Sequence, residues 1–353
     1  MNRTITLLLL AAAALAACTP DFDPASRIEK LRVLAIKAEP PEIDPAGVQT
    51  AALTSLVLRA DFAQDPSRTT TVVHLACLPV PGDPSPSPCV QLAGLRDPTA
   101  FLAEAAPAAC AAPGTAPIAF AGTETCVGGD CGPATLAGGA TLKRPEVSVP
   151  AAWAGPEGVF AALPPTAPEL VLGAQAIVLA FALDATPDEL AAGGGGPCVA
   201  ADLVSGLAGL WATREHVLST KRVQIRGPDA YDPPNQNPAE PGIRAGTTSL
   251  DPDAVTTLAP GEISLAPVPG GEPELYTKLD AAGLPLEGEA REEWVYSWFS
   301  TAGELDATHT RGTEADAWTV GATAAGTPAR VVAVVRDLRG GTAWAVRDVA
   351  VAP

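Results

Sequence analysis

Short segments with an apolar residue at every second position follow an apolar N-terminal run. Residues 5–17 are apolar apart from Thr6, and the first alternating segment, KLRVLAIKAE, begins at residue 30. In TAALTSLVLRADF, Leu56 and Leu58 share one face, and TTTVVHLACLPV follows with many β-branched residues. A period of two is typical of β-strands. The front of the chain is therefore predicted to be built of strands.

The longest apolar run in the body of the chain is ELVLGAQAIVLAFALD. It contains one polar residue, Gln175, and is too short to span a bilayer. It is predicted to be a buried strand with a bend near Gly173. VAADLVSGLAGLW has a weak helical period, TKRVQI predicts a strand, and a short helix is expected at 98–109.

Proline and glycine divide the chain. There are 37 prolines and 33 glycines, which favour short strands joined by loops over long helices. GPDAYDPPNQNPAEPGI is proline-rich and is the best domain boundary, whereas GGGG at 193–196 is a flexible break. The predicted units are a domain at 27–230 with a cysteine-rich insertion at about 79–150, a linker at 231–246, and a domain at 247–353.

The last hundred residues contain an aromatic strand and a hairpin. In EEWVYSWFSTAGEL, Trp294, Tyr296 and Trp298 fall on one face. ARVVAVVRDLRGGTAWAVRDVAVA alternates on both sides of a glycine pair, which suits a turn with positive φ. We expect Trp298 to point inward, because a domain poor in large side chains needs an anchor between its sheets.

This C-terminal pattern resembles immunoglobulin-like and PKD-like β-sandwich domains, which pair a Tyr-x-Trp strand with a later V-x-V-x-V-x-D-x-x-G hairpin. The matching residues are Tyr296, Trp298, Val331, Ala333, Val335, Asp337 and Gly340. SWFSTAGEL lacks the acidic Asp-Gly turn of PKD modules, which favours a generic immunoglobulin-like sandwich. RVLAIKAEPPEIDPAG and TKRVQI…PPNQNP look like myxobacterial lipoproteins that begin with an immunoglobulin-like strand pair.

The resemblance implies a fold but no activity. The expected fold class is mainly β, with two immunoglobulin-like antiparallel β-sandwich domains. The first would carry a long disulfide-pinned loop insertion and a short helix.

The N-terminus has the features of an export signal. Arg3 precedes the 13-residue apolar run, which is too short to cross a hydrocarbon core of roughly 30 Å. Leu15, Ala16, Ala17 and Cys18 resemble the lipobox of bacterial lipoproteins. That resemblance implies a signal peptide at 1–17, lipidation of Cys18 and a tether at 18–26. The alternative is an ordinary cleavage site beside a cysteine.

The residue after Cys18 bears on the destination of such a lipoprotein. Thr19 stands where aspartate favours inner-membrane retention, so the resemblance implies a lipid-anchored position in the cell envelope at the outer membrane. The face of that membrane stays open.

Six further cysteines lie before residue 200. An even number in an exported chain predicts three disulfides, and six cysteines allow fifteen pairings. CVGGDC at 126–131 resembles a metal loop, but a small closed disulfide is the preferred interpretation in an oxidising compartment. The candidates are Cys77, Cys89, Cys110, Cys126, Cys131 and Cys198.

Charge and motifs narrow the chemistry. The net charge of −18 disfavours nucleic acid and anionic membrane surfaces as partners. The chain lacks HExxH, GxSxG, SxxK and a phosphate-binding loop, so no catalytic residue and no cofactor are predicted. An acidic stretch beside His309 is the best calcium candidate, and a solvated loop is the preferred alternative. Its residues are Glu304, Asp306, Glu314 and Asp316.

Three functional hypotheses remain. The first is a non-enzymatic, lipid-anchored envelope protein whose modules serve binding, adhesion or structural presentation to another envelope protein or a glycan. The second is a carbohydrate-binding module, which needs Trp294, Trp318 or Trp344 on an open face. The third is a secreted metal-dependent hydrolase, which needs two of His74, His216 and His309 in one cleft of the front domain. Oligomeric state is left open.

Overall fold

The structure, a computed structural model, describes residues 26–61, 65, 67–80, 89, 97–111, 117–154, 158–161, 163–192, 198–323 and 328–352. These residues form a mainly β chain with two stacked β-sandwiches, called here the first and the second sandwich. The predicted fold class is confirmed at this level. The signal peptide, the lipobox, Cys18, most of the tether and the GGGG break lie outside the described residues.

The first sandwich contains nine of the described strands. A six-stranded sheet with the order β2-β9-β8-β4-β5-β6 faces a three-stranded sheet with the order β1-β3-β7. Neighbouring strands are antiparallel except β2 and β9, which are parallel. The bounds are β1 (Arg32–Glu39), β2 (Glu42–Ile43), β3 (Thr50–Leu58), β4 (Thr69–Cys77), β5 (Ile118–Val127), β6 (Asp130–Pro133), β7 (Glu146–Ser148), β8 (Ala174–Leu183) and β9 (His216–Ile225).

Helices cover the outer face of the six-stranded sheet. Three helices do so: α1 (Thr99–Ala108), α3 (Pro187–Ala191) and α4 (Val199–Leu210). The short helix α2 (Glu169–Leu172) instead packs Leu170 against the core between the sheets. Strand β8 is apolar from Ala176 onward because both of its faces are buried there. Val178 and its even-numbered neighbours pack between the sheets, whereas Leu179 and Phe181 pack against the helices. The long apolar run is thus a buried strand, as predicted.

The second sandwich places two five-stranded sheets face to face. Their orders are β11-β10-β13-β19-β17 and β12-β21-β20-β16-β18, and a separate hairpin, β14–β15, projects from it. The bounds are β10 (Gly242–Ala245), β11 (Thr248–Ser249), β12 (Thr256–Leu258), β13 (Gly261–Val268), β14 (Leu275–Leu279), β15 (Pro285–Arg291), β16 (Val295–Ser300), β17 (Glu304–Leu305), β18 (His309–Arg311), β19 (Asp316–Val320), β20 (Ala329–Arg336) and β21 (Thr342–Val351).

Aromatic side chains fill the core of the second sandwich. Trp298 and Trp318 are fully buried between its sheets, together with Tyr296. Each indole N–H has an acceptor: that of Trp298 donates to Thr310 Oγ1 at 2.8 Å, and that of Trp318 to the Ala302 carbonyl at 2.9 Å. The predicted inward position of Trp298 is therefore confirmed. A buried indole whose N–H has a hydrogen-bond acceptor stabilises a core.

A shared apolar layer joins the two sandwiches. Alternation sends Leu56 and Leu58 of β3 away from the first core, where they meet Val332 and Val334 of β20. Those two valines lie on the opposite face of β20 from Val331, which packs in the second core. Strands β3 and β20 are therefore apolar on both faces because each separates two packed layers.

The disulfides pair all six cysteines after Cys18. Cys110–Cys198 joins the end of α1 to the start of α4, and its Cα atoms are 6.1 Å apart. The other two pairs are Cys77–Cys89 and Cys126–Cys131, and the second links β5 to β6 across a tight hairpin. The prediction of three disulfides, including the small 126–131 loop, is confirmed.

Two segments differ from the predicted pattern. The strand predicted to run through Gly173 instead begins after it, because Gly173 has φ +78° and a Cβ there would lie 2.2 Å from the Ile225 carbonyl oxygen. The residues before it form α2. The insertion at 79–150 contributes β5, β6 and β7 to the sheets, besides the predicted helix α1. Its Pro/Gly/Ala-rich composition did not predict these strands, because β5 and β7 are stabilised by pairing with β4 and β3.

Candidate functional site

A cleft of about 470 Å³ lies where the two sandwiches meet, called here the junction cleft. The first sandwich contributes residues of β8, β9 and α2, and the second contributes β14 and the turn at 338–340. Ala230 and the linker residues Tyr231, Asp232, Pro233 and Asn235 complete its wall. The volume falls within the roughly 300–1,000 Å³ typical of small-molecule sites.

The turn between β20 and β21 is held in place by one buried carboxylate. Asp337 accepts hydrogen bonds from the backbone N–H groups of Arg339 at 2.7 Å and Gly341 at 2.8 Å. Leu338 and Gly340 have positive φ. Gly340 is the first glycine of the pair seen in the sequence, and glycine adopts positive φ without steric cost. Its conformation places Leu338, Arg339 and Gly340 on the cleft wall.

The linker is bonded to both sandwiches. Asn235 donates from its backbone N–H to Glu42 at 2.7 Å and from its side chain to Asp337 at 2.9 Å. Asn237 donates to the Ala38 carbonyl at 2.7 Å, and its side-chain oxygen accepts from the Thr342 N–H at 2.8 Å. The linker thus fixes the two walls of the cleft relative to each other.

A lysine crosses from the first sandwich to the turn. Lys221 of β9 donates to the Gly340 carbonyl and to Thr342 Oγ1, the latter at 3.1 Å. Burial lowers the pKa of Lys221 to about 8, although the nearby Asp337 charge opposes that shift. The junction therefore contains an ammonium group that folding makes easier to deprotonate.

Most charged groups that line the cleft already have protein partners. Arg226 donates to the Ala230 and Asp232 carbonyls and lies 3.6 Å from Glu42. Arg339 stacks over the Tyr276 ring at 4.8 Å from its centroid and pairs at 2.9 Å with a buried carboxylate of Glu292, whose pKa burial raises.

Three side chains of the lining have no such partner. Arg222 is exposed on β9, Gln175 is half-buried on β8, and Tyr231 is 54% exposed on the linker. Within the described part of the chain, no hydrogen bond or ion pair occupies the Arg222 guanidinium, the Gln175 amide or the Tyr231 hydroxyl. Gln175 stands out in the sequence as a polar residue in an apolar run, whereas Arg222 and Tyr231 were not predicted as site residues. The alternation of Arg222 and Gln224 with buried Val223 and Ile225 is the signal that could have indicated an exposed polar face.

The histidines do not converge, so the expectation of a two-histidine cleft is wrong for these residues. His74 is fully buried between the sheets, where its Nε2 lies 3.1 Å from Glu124 and 3.4 Å from Ser55 Oγ. His216 stacks on Trp211, which packs on the helical face of the same sheet. His309 is exposed on β18 of the second sandwich. Alternation on β4 and β9 separates the first two, because they point to opposite faces.

An arginine network closes one end of the first sandwich. Arg59 is buried and pairs with Asp61 at 3.1 Å, Asp184 at 2.9 Å and Glu215 at 2.6 Å. Burial alone would raise the pKa of Asp61 and of Asp184, but hydrogen bonds and charge from Arg59 and Arg68 hold both pKa values below the usual range. Every carboxylate is satisfied by a cation, so the network ties strands together.

The calcium candidates do not form one cluster. Asp316 is buried on β19, where burial, and then the nearby Asp306 charge, raise its pKa. Glu314 instead accepts from the Arg311 N–H at 3.0 Å, and Glu304 is exposed on β17. Across the described ranges, no three His, Cys, Asp or Glu side chains come together as metal ligands.

The tryptophans proposed as a sugar platform differ in exposure. Trp294 and Trp318 are buried in the second core, which contradicts an open-face role for these two. Trp344 is half-buried at the junction and lines two further clefts between the sandwiches. It alone of the three stays compatible with contact to a ligand. Among the described helices, none is both long and apolar enough to cross a bilayer.

Comparison with known proteins identifies no family. No family model matches the chain, and no curated protein matches it. Two solved structures of Salmonella alpha-2-macroglobulin, one reacted with methylamine and one a mutant, align with 10% and 11% identity and TM-scores of 0.22 and 0.20. They cover 94% and 93% of this chain, which spans only 17% of their length. TM-scores this low carry no argument about fold or function.

Proposed function

We propose that this chain is a lipid-anchored, non-enzymatic binding protein of the bacterial cell envelope, attached to the outer membrane through Cys18. The lipobox-like residues 15–18 support the anchor, and Thr19 supports the outer membrane as destination. Three disulfides support export, since disulfides persist in oxidising compartments. The separate positions of the three histidines support a binding role over the histidine-based hydrolase.

The proposed modules are immunoglobulin-like. Such sandwiches place strands A, B, E and D opposite C, F and G. In the second sandwich, the sheet β10-β13-β19-β17 lies opposite β16-β20-β21. Lettered A to G in chain order, the strands of the first sheet are A, B, E and D, and those of the second are C, F and G. In the first, β1-β3-β7 lies opposite β4-β8-β9. Both also have a short strand parallel to the last one, β2 on β9 and β12 on β21, which supports a common topology.

The junction cleft is the single observation that carries the binding role. The apolar layer at Val332 and Val334 and the bonds of Asn235 and Asn237 hold its walls together. A cleft held in this way binds without paying to order its walls, which favours affinity. The polar groups that line it without partners are then available to a ligand.

Membrane fractionation of the full-length protein tests the anchor. We expect the wild type to sediment with envelope lipid and to incorporate labelled palmitate, whereas Cys18→Ser should do neither. Thr19→Ser is the matched control, because it changes the neighbouring residue and keeps the thiol. A Cys18→Ser protein that still fractionates with lipid would contradict the anchor.

A turnover assay tests the non-enzymatic part. The purified protein is expected to leave esters, glycosides and peptides intact. Hydrolysis that disappears with His216→Gln, which changes an exposed histidine, while a denaturation curve stays unchanged, would replace the binding proposal with a catalytic one.

A further inference from the structure

The lining of the junction cleft differs in charge from the rest of the molecule. The chain carries a net charge of −18, yet three arginines and only two carboxylates line this cleft. Two of these arginines already have carboxylates within ion-pair distance: Arg226 lies 3.6 Å from Glu42, and Arg339 lies 2.9 Å from Glu292 and 3.5 Å from Glu274. Arg222 is therefore the arginine of this lining that no carboxylate of the described residues pairs with.

Both carboxylates of the lining are occupied by the protein itself. Asp232 accepts from the Thr277 N–H at 2.9 Å and from the Thr277 hydroxyl at 2.8 Å. Glu42 accepts from the Asn235 N–H at 2.7 Å and lies 3.6 Å from Arg226. Neither carboxylate is positioned to neutralise Arg222, whose guanidinium remains available to an anion.

We infer that the junction cleft binds an acidic sugar, that is, a uronic acid unit of a glycan, with Arg222 on its carboxylate. This inference rests on the proposed binding function. A guanidinium presents two parallel N–H donors that match a carboxylate. The Gln175 amide can donate to and accept from ring hydroxyls, and the exposed Tyr231 ring offers an apolar face to the sugar. An acidic sugar is a ligand that uses all three groups together.

The test measures binding of defined oligosaccharides to the detergent-solubilised full-length protein by calorimetry. The probes are a tri-galacturonate, the neutral tri-galactose of the same length, and a sulfated tri-galactose. We expect the tri-galacturonate to bind best and Arg222→Gln to weaken it by about tenfold or more, as for loss of a charged hydrogen bond. Tyr231→Ala should weaken all three probes, because the ring contact does not depend on charge.

Arg244→Gln is the matched control. Arg244 is an exposed arginine on β10 and does not line the junction cleft, so the same charge change there should leave binding unaltered. Failure of the wild type to bind tri-galacturonate, equal affinity for the neutral probe, or indifference to Arg222→Gln would each overturn the inference. Tighter binding of the sulfated probe would overturn the carboxylate assignment. None of these outcomes affects the Cys18→Ser fractionation, which judges the anchor separately.

Discussion

Lys221 makes the stability of the sandwich junction depend on pH in a direction that can be calculated. Its pKa falls from the ordinary 10.5 to about 8, first because burial penalises the ammonium and then because Arg336 repels it. Between these values the unfolded chain holds a proton that the folded chain has released. Unfolding free energy therefore rises with pH across this window.

The magnitude follows from the shift. A difference of about 2.5 pKa units at 1.36 kcal/mol each corresponds to about 3 kcal/mol. The folded state bears this full cost below pH 8, and the cost vanishes above pH 10.5. We expect the unfolding free energy of the wild type, minus that of Lys221→Met, to increase by about 3 kcal/mol from pH 7.5 to pH 10.5.

Urea denaturation followed by circular dichroism at half-unit pH steps measures this difference. Tyr296 also titrates at high pH, since burial raises its pKa to about 12, but both proteins share it and its effect cancels. Lys278→Met is the matched control, because Lys278 is exposed on β14 and does not line the junction cleft. A wild-type minus Lys221→Met difference that is flat with pH, or that falls, would refute the reasoning.

Three other substitutions test the packing. Cys110→Ser with Cys198→Ser should cost about 4–5 kcal/mol in urea, since that bond spans 88 residues, and clearly more than loss of the five-residue β5–β6 bond; equal losses would contradict the entropic account. Val334→Asp puts a carboxylate into the apolar junction layer, so calorimetry should resolve two transitions where the wild type shows one; a single transition in the variant would oppose it. Arg59→Met removes the buried cation that Asp61, Asp184 and Glu215 share and leaves Arg68 beside them, so it should lower the unfolding free energy by about 3 kcal/mol at pH 7. The loss should shrink below pH 4 as Asp61 and Asp184 protonate; an equal loss at pH 3 and pH 7 would contradict the charge explanation.

Most strands, and the face of each strand that is buried, could be predicted from the amino-acid sequence. Alternation at Tyr296 and Trp298 correctly predicted which side chains enter the second core, because in a strand the direction of a side chain depends only on its position. The even cysteine count likewise predicted three bonds. The pairings were not readable, since fifteen arrangements share one sequence and only the packing of α1 on α4 brings Cys110 to Cys198.

The junction and its cleft came from the tertiary structure alone. Leu56 and Val334 are both apolar, but nothing local indicates that one covers the other across almost 280 residues. Arg222, Gln175 and Tyr231 likewise come from three separate segments, so no motif spacing could have joined them. Local sequence determines backbone conformation and side-chain direction, because these depend on near neighbours. Which faces meet depends on the burial of apolar surface over the whole chain, and that is decided only when the chain folds.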